Sequence, residues 1–180
     1  MMFLLRMLMR NKGGSSMDPL HVSMTGVRMG ERFLQIGCYD KALLAGLAAK
    51  VGLSGTSAVA AFDESQVKLA RSIGAKVGAL IEVEDIDKGR AWPYGEALFD
   101  MVVIDNTGDE FRGIEHHDEL LRNALRTVRP GGRIEAVTRV QSPHPHVDFQ
   151  QLLTTAGFKP VRLLAERNGF RFVEGLRPNS

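Results

Sequence analysis

A single cysteine, Cys38, in a chain of 180 residues excludes an internal disulfide and a cysteine-rich zinc site. It suits a reducing compartment, with the cytoplasm as the expected location. Charge of one sign is also scarce: 23 basic against 21 acidic residues leave +2, too small a surplus to point to a nucleic-acid partner. Long hydrophobic runs are missing as well. The opening segment Met1 to Arg10 (MMFLLRMLMR) is interrupted by Arg6 and closed within ten residues, whereas a membrane-spanning helix needs about 20 apolar residues. No charged stretch precedes it and no small-residue cleavage pattern follows it, so a secretory signal fits poorly.

What is present is the composition of a globular protein, 44% hydrophobic and 24% charged, unlike a disordered, collagen-like or disulfide-scaffold chain. The length suits one core of ordinary size. Residues 1–16 read as an extension and linker, ending in the flexible NKGGSS, and 17–180 as one domain. Three readings of the first ten residues stand side by side: a short amphipathic helix packed on the body or a partner, a disordered or artificially appended extension, and a membrane-surface anchor. Exposure of Met1 to Met9 would favour self-association, making a homodimer a candidate state.

From Arg32 onward short β-rich runs alternate with helical patterns, the order of an α/β domain around a mostly parallel sheet. Strands are predicted over Arg32 to Ile36, Ser57 to Phe62, Gly78 to Val83, Phe99 to Ile104 and Arg133 to Val140. Helices are predicted over Lys41 to Val51, Gln66 to Ile73 with Gly74 as its stop, His116 to Val128, and Val147 to Ala156. Arg129, Pro130, Gly131 and Gly132 read as the turn into strand five. Two last strands, Phe158 to Ala165 and Gly169 to Glu174, are separated by so few residues, Asn168 and Gly169 among them, that an antiparallel hairpin is expected.

Four features fall at the carboxyl ends of these strands, where open α/β sheets bind ligands. The turn Gln35, Ile36, Gly37, Cys38, Tyr39, Asp40 joins strand one to a helix N-terminus with free amide donors. Asp63, with Glu64 beside it, follows strand two at about the spacing at which a carboxylate accepts two ribose hydroxyls. Asp85 ends strand three, where it could accept from an exocyclic amine, and Asp105 and Asn106 follow strand four. The alternative for Asp63 is a helix cap, and for Asp85 part of a solvated acidic strand end.

The pieces GERFLQIGCYD, AFDESQVKLA, EVEDI, LFDMVVID, LRTVRPGGRI and TAGFKPVRLL, in this order, make the chain resemble the class I S-adenosylmethionine-dependent methyltransferases from Gly30 to Gly175. The resemblance implies a Rossmann-like α/β fold: a seven-stranded, mostly parallel sheet with an antiparallel last strand and helices on both faces. It also implies S-adenosylmethionine as cofactor, lying over the amino half of the sheet, and a small-molecule substrate. By the same resemblance, Gln35, Gly37, Cys38 and Tyr39 face the methionine portion, Asp63 with Glu64 the ribose, Asp85 with Ile86 the adenine, and Asp105 the segment beside the sulfonium. The first motif departs from the family's pattern: Gln35 replaces its acidic residue, and Tyr39 and Lys41 its second and third glycines.

Three functions compete on this reading. The first is a methyltransferase acting on a small molecule, for which no catalytic side chain can be named. The second is a non-catalytic protein of the same fold with a modified site, and the third a nicotinamide-dependent oxidoreductase, which the VRPGG turn and terminal hairpin disfavour. Cys38 reads as a loop residue without a partner base. His116, His117, His144 and His146 form no convincing metal set, though His144 or His146 could face a substrate. Trp92 and Tyr94 read as packing, and Arg162, Arg167, Arg171 and Arg177 as a solvated face.

Overall fold

The computed structural model describes residues 19–180, so the expectations for residues 1–16 lie outside the described residues. In the sheet the strands β1 (Arg32–Ile36), β2 (Thr56–Ala61), β3 (Ile81–Asp85), β4 (Phe99–Asn106), β5 (Val128–Arg139), β6 (Val161–Arg167) and β7 (Phe170–Leu176) take the order β3-β2-β1-β4-β5-β7-β6. The first five are parallel, and β7 runs antiparallel to both β5 and β6. The chain reverses from β6 to β7 at Asn168 and Gly169, both at positive φ, the geometry that asparagine and glycine tolerate in tight hairpins.

The central strands bury both faces, which explains their largely apolar sequence. On one face Leu34, Ile36, Val102, Ile104 and Ile134 pack against α4 (His117–Thr127) and α5 (Phe149–Ala156) through Leu120, Leu121, Phe149 and Leu153. On the other, Phe33, Val59, Met101 and Val103 meet α1 (Pro19–Met24), α2 (Lys41–Val51) and α3 (Glu64–Val77). The apolar spacing of α2 turns Leu43, Leu44, Leu47, Ala48 and Val51 inward, and each fully buried leucine contributes about 2 kcal/mol. Trp92 and Tyr94 are buried in the first of these clusters, the packing role expected of them.

Several boundaries shift, β3 covering Ile81–Asp85 rather than Gly78 to Val83, and three of the shifts have a visible cause. Helix α3 does not stop at Gly74 but runs to Val77, with Gly78 in the left-handed conformation as its cap. Gly74 is instead a point of close approach: a Cβ there would lie 2.9 Å from the Ala79 carbonyl oxygen. The VRPGG segment is not a turn before β5 but an irregularity inside it, because Val128 already pairs with Phe99 before the ladder resumes at Met101 and Arg133. Strand β4 continues through Asp105 and Asn106, which seats these residues in the sheet rather than beyond it. The short α1 has no counterpart among the elements expected from the sequence; its Val22 packs into the second cluster.

Candidate functional site

The parallel strands β1, β2, β3 and β4 deliver four chain segments to one edge of the sheet. Register matches Ile36 to Ala60 and to Ile104, and Ala61 to Asp85, so the turns after these strands stand side by side. The turn after β1 needs glycine: Gly37 has φ +78, and a Cβ would lie 3.2 Å from the Asp105 carbonyl oxygen and 3.4 Å from the Phe62 ring. Its amide donates to the Ala60 carbonyl at 2.9 Å, tying the turn to β2.

Asp105 organises the backbone beyond Gly37. It is almost completely buried, and one carboxylate oxygen accepts from the amides of Tyr39 and Asp40 at 2.8 and 2.9 Å. The other accepts from the Thr107 hydroxyl at 2.6 Å and its amide at 3.1 Å. Burial pushes its carboxyl up to about 6, against the pull of the hydrogen bonds from Thr107 and Asp40, and the Asp40 charge adds to the rise. Asp40 in turn caps α2, accepting from the Ala42 and Leu43 amides. The carboxylate expected beside a ligand is therefore turned inward, as a brace for the β1–α2 turn.

Gln35 is fully buried, and its side-chain amide donates to the Gly37 carbonyl at 3.0 Å while its oxygen Oε1 has no hydrogen-bond partner. Cys38 is buried, and burial, followed by the charges of Asp105 and Asp40, pushes its thiol up to about 12. In the native protein at pH 8 it is expected to react with a disulfide reagent at least about a hundredfold more slowly than a free thiol, because so little thiolate forms. A native rate matching that of the unfolded chain would contradict this placement.

Tyr39 lies across the mouth of the turn. Its ring carbon Cε2 sits 3.2 Å from where a Gly37 Cβ would be, and its Cδ1 2.9 Å from the Cβ position of Gly108, on the segment after β4. Its hydroxyl accepts from the Gln66 side-chain amide at 2.5 Å. Gln66 cannot easily turn away, since its oxygen accepts from the backbone amides of Cys38 and Phe62 at 3.1 and 3.2 Å.

Asp63 is exposed at the start of α3, where one carboxylate oxygen accepts from the Gln66 amide at 2.9 Å. The helix-cap reading of this residue is thus the one seen, and its second oxygen takes part in no bond of the cap. Glu64 points to Lys68 in an exposed ion pair at 3.0 Å. Asp85 is exposed at the end of β3, followed by buried Ile86, and the Lys88 ammonium lies 4.7 Å over the Phe62 ring.

Beyond β4 and β5 lies a second feature, a wide, open surface pocket of about 660 Å³ lined by Arg112, His117, His144, His146 and Leu152 among others. Ser142 donates to Asp109 at 2.8 Å, joining the loop after β5 to that after β4. His117 stacks on Phe111 at 5.1 Å. Glu110, which no sequence pattern marked, is half-buried at the start of the single helical turn that follows β4, and burial pushes its carboxyl up to about 7. Among the described residues no three His, Cys, Asp or Glu side chains gather as a metal site. Of the C-terminal arginines, Arg162 and Arg171 form exposed pairs with Glu174 and Glu166, whereas Arg177 turns inward onto the Arg126 and Val128 carbonyls.

Comparison with known proteins agrees with this layout. A family model described as the ubiE/COQ5 methyltransferase family matches residues 18–161. The ubiquinone/menaquinone biosynthesis C-methyltransferase UbiE of Pseudomonas entomophila is 32% identical over 115 residues, which make up 63% of this chain and 43% of that one. Its counterpart in Escherichia coli O1:K1 is 28% identical over 114 residues, with 44% of its length matched. The match thus spans less than half of these relatives. Among solved structures, a SAM dependent methyltransferase from Aquifex aeolicus superposes with a TM-score of 0.75 over 90% of both chains at 18% identity. A SAM-dependent O-methyltransferase from Thermotoga maritima gives 0.66 at 16%, over 88% of this chain and 63% of that one. At these identities the structures speak for the Rossmann-like methyltransferase fold.

Proposed function

The chain belongs to the ubiE/COQ5 methyltransferase family, and from this premise we propose that it binds S-adenosylmethionine and methylates a small molecule. The observation that carries the reading is the alignment of the Gly37 turn, Asp63 and Asp85 at the carboxyl ends of three adjacent parallel strands. The residues present fit the nucleoside half of the cofactor as they stand. Asp63 has an oxygen beyond the one used by the cap for a ribose hydroxyl, and Asp85 and Ile86 offer an acceptor and an apolar surface to the adenine. The turn itself, with Gly37 and the Cys38 and Tyr39 backbone, would take the methionine portion, with Gln35 beneath it and Asp105 holding the loop.

Bound there, the cofactor supplies a methyl group already activated on sulfonium. The chain's own task is then to align the acceptor and exclude water. The pocket with Arg112, His117, His144 and His146 supports an acceptor carrying a negative or hydrogen-bonding oxygen. The curated relatives, named as quinone-pathway C-methyltransferases, support an electron-rich ring carbon as the methylated atom. A second reading, a non-catalytic nucleoside-binding protein of this fold, draws on Tyr39 at the mouth of the turn.

Calorimetric titration with S-adenosylhomocysteine tests the proposal. Saturable binding is expected, weakened about tenfold or more in Asp63→Ala, since hydrogen bonds to a charged group contribute about 1.5–3 kcal/mol. No heat and no thermal stabilisation at millimolar ligand would overturn it.

A further inference from the structure

By the resemblance given above Tyr39 stands at a glycine position, and three kinds of contact hold it there. Its hydroxyl is gripped by Gln66 at 2.5 Å, and Gln66 is itself oriented by the Cys38 and Phe62 amides. Its backbone amide is fixed on Asp105 at 2.8 Å. Its ring occupies the room left by two glycines: a Cβ at Gly108 would approach ring carbons Cδ1 and Cγ to 2.9 and 3.0 Å, and a Cβ at Gly37 would approach Cε2 to 3.2 Å. The phenol thus spans from the segment after β4 to the first turn of α3, directly over the turn that follows β1. Asp63 and Asp85 stay exposed to one side of it.

We infer that Tyr39 and Gln66 form a latch over the amino-acid end of the cofactor site, so that the protein admits 5′-thio-nucleosides freely and admits the methionine tail only when the phenol swings out. The inference rests on the proposal that the Gly37–Asp63–Asp85 crevice is the cofactor site. Two features of the turn point the same way. Gln35, at the position where an acid would meet an ammonium group, uses its amide on the Gly37 carbonyl. A neutral amide attracts the tail's ammonium group less than a carboxylate does, so this end of the tail gains less from displacing the ring. The nucleoside end needs no such movement. Selectivity then follows from population: the apparent affinity for a tailed ligand falls by the fraction of molecules with the latch open, while that for a tail-less ligand does not.

The test compares 5′-methylthioadenosine, which lacks the amino-acid tail, with S-adenosylhomocysteine, which carries it, by calorimetry on the full chain. The wild-type protein is expected to bind the tail-less nucleoside at least as tightly. Tyr39→Ala is expected to tighten S-adenosylhomocysteine by about tenfold and to change 5′-methylthioadenosine by less than about twofold. Tyr39→Phe, which keeps the ring but removes the oxygen that accepts from Gln66, is expected to fall between, tightening only the tailed ligand. Should Tyr39→Ala weaken S-adenosylhomocysteine or leave it unchanged while wild-type protein binds both ligands, the latch is refuted and the cofactor site stands. Absence of binding by either ligand to wild type and both variants, with their folding verified by circular dichroism, refutes the site and the latch together.

Discussion

Replacing Glu135 by leucine is expected to stabilise the protein by about 2 kcal/mol at neutral pH, the opposite of what most core substitutions do. Glu135 lies in β5 between β4 and β7, fully buried, with neither carboxyl oxygen hydrogen-bonded. Burial raises its carboxyl well above the usual range; the cross-strand neighbour Glu174 adds to the rise and Arg133 opposes it. Arg133 gives little relief, because its guanidinium donates to Glu31 and to the Gly26 carbonyl.

The folded state keeps the Glu135 proton where the unfolded chain has lost it. It therefore binds more protons, and stability falls as pH rises above the ordinary glutamate value. Glu135→Gln, of the same shape but without a titrating proton, should remove that slope: its advantage over wild type grows from pH 5 to pH 8. Urea unfolding at several pH values measures it. A variant less stable than wild type throughout, with the slope unchanged, would mean that Glu135 is satisfied in solution.

The second large effect is at Asp105. Asp105→Ala leaves the Tyr39, Asp40 and Thr107 amides and the Thr107 hydroxyl without their acceptor and is expected to destabilise by about 3 kcal/mol or more. Amide exchange at Tyr39 and Asp40 should accelerate with it, because these donors hold the β1–α2 turn.

Asp105→Asn separates brace from charge. Because burial raises the folded carboxyl to about 6, Asp105 contributes a stability that declines as pH rises from the ordinary aspartate range through 6. The asparagine variant should lose that decline while keeping part of the bracing through its remaining oxygen. Retention of wild-type stability and exchange rates in Asp105→Ala would show that the turn is held by other contacts, Asp40 capping among them.

Much of the fold is legible in the sequence because it is local. The apolar spacing of Lys41 to Val51 is a helix face whatever lies opposite, and it is the face that α2 buries. The apolar run Met101 to Ile104 within Phe99 to Ile104 suits a strand covered on both sides, and both faces are buried. The Asn168–Gly169 pair announces the hairpin that reverses the last strand. The acidic residues after strands one to four likewise come to one edge of the sheet, since a parallel sheet brings successive strand ends together.

Where the sequence misleads, contacts that no local pattern announces intervene. Gly74 has the look of a helix stop, but its missing side chain admits the Ala79 carbonyl. Asp105 has the look of a ligand residue. The strand carries it into the sheet instead, where the turn amides more than 60 positions earlier converge on it. Glu110 and Glu135 carry no motif at all, because a shifted carboxyl is a property of its surroundings.

The scarcity of cysteine, net charge and long apolar runs determined the class of the molecule, and the order of strand ends determined its family, for both are carried by the chain itself. The state of the crevice was not. That Tyr39 lies over the turn, seated on Gly37 and Gly108 and held by Gln66, depends on residues from the ends of different strands arriving at one place, and only folding brings them there.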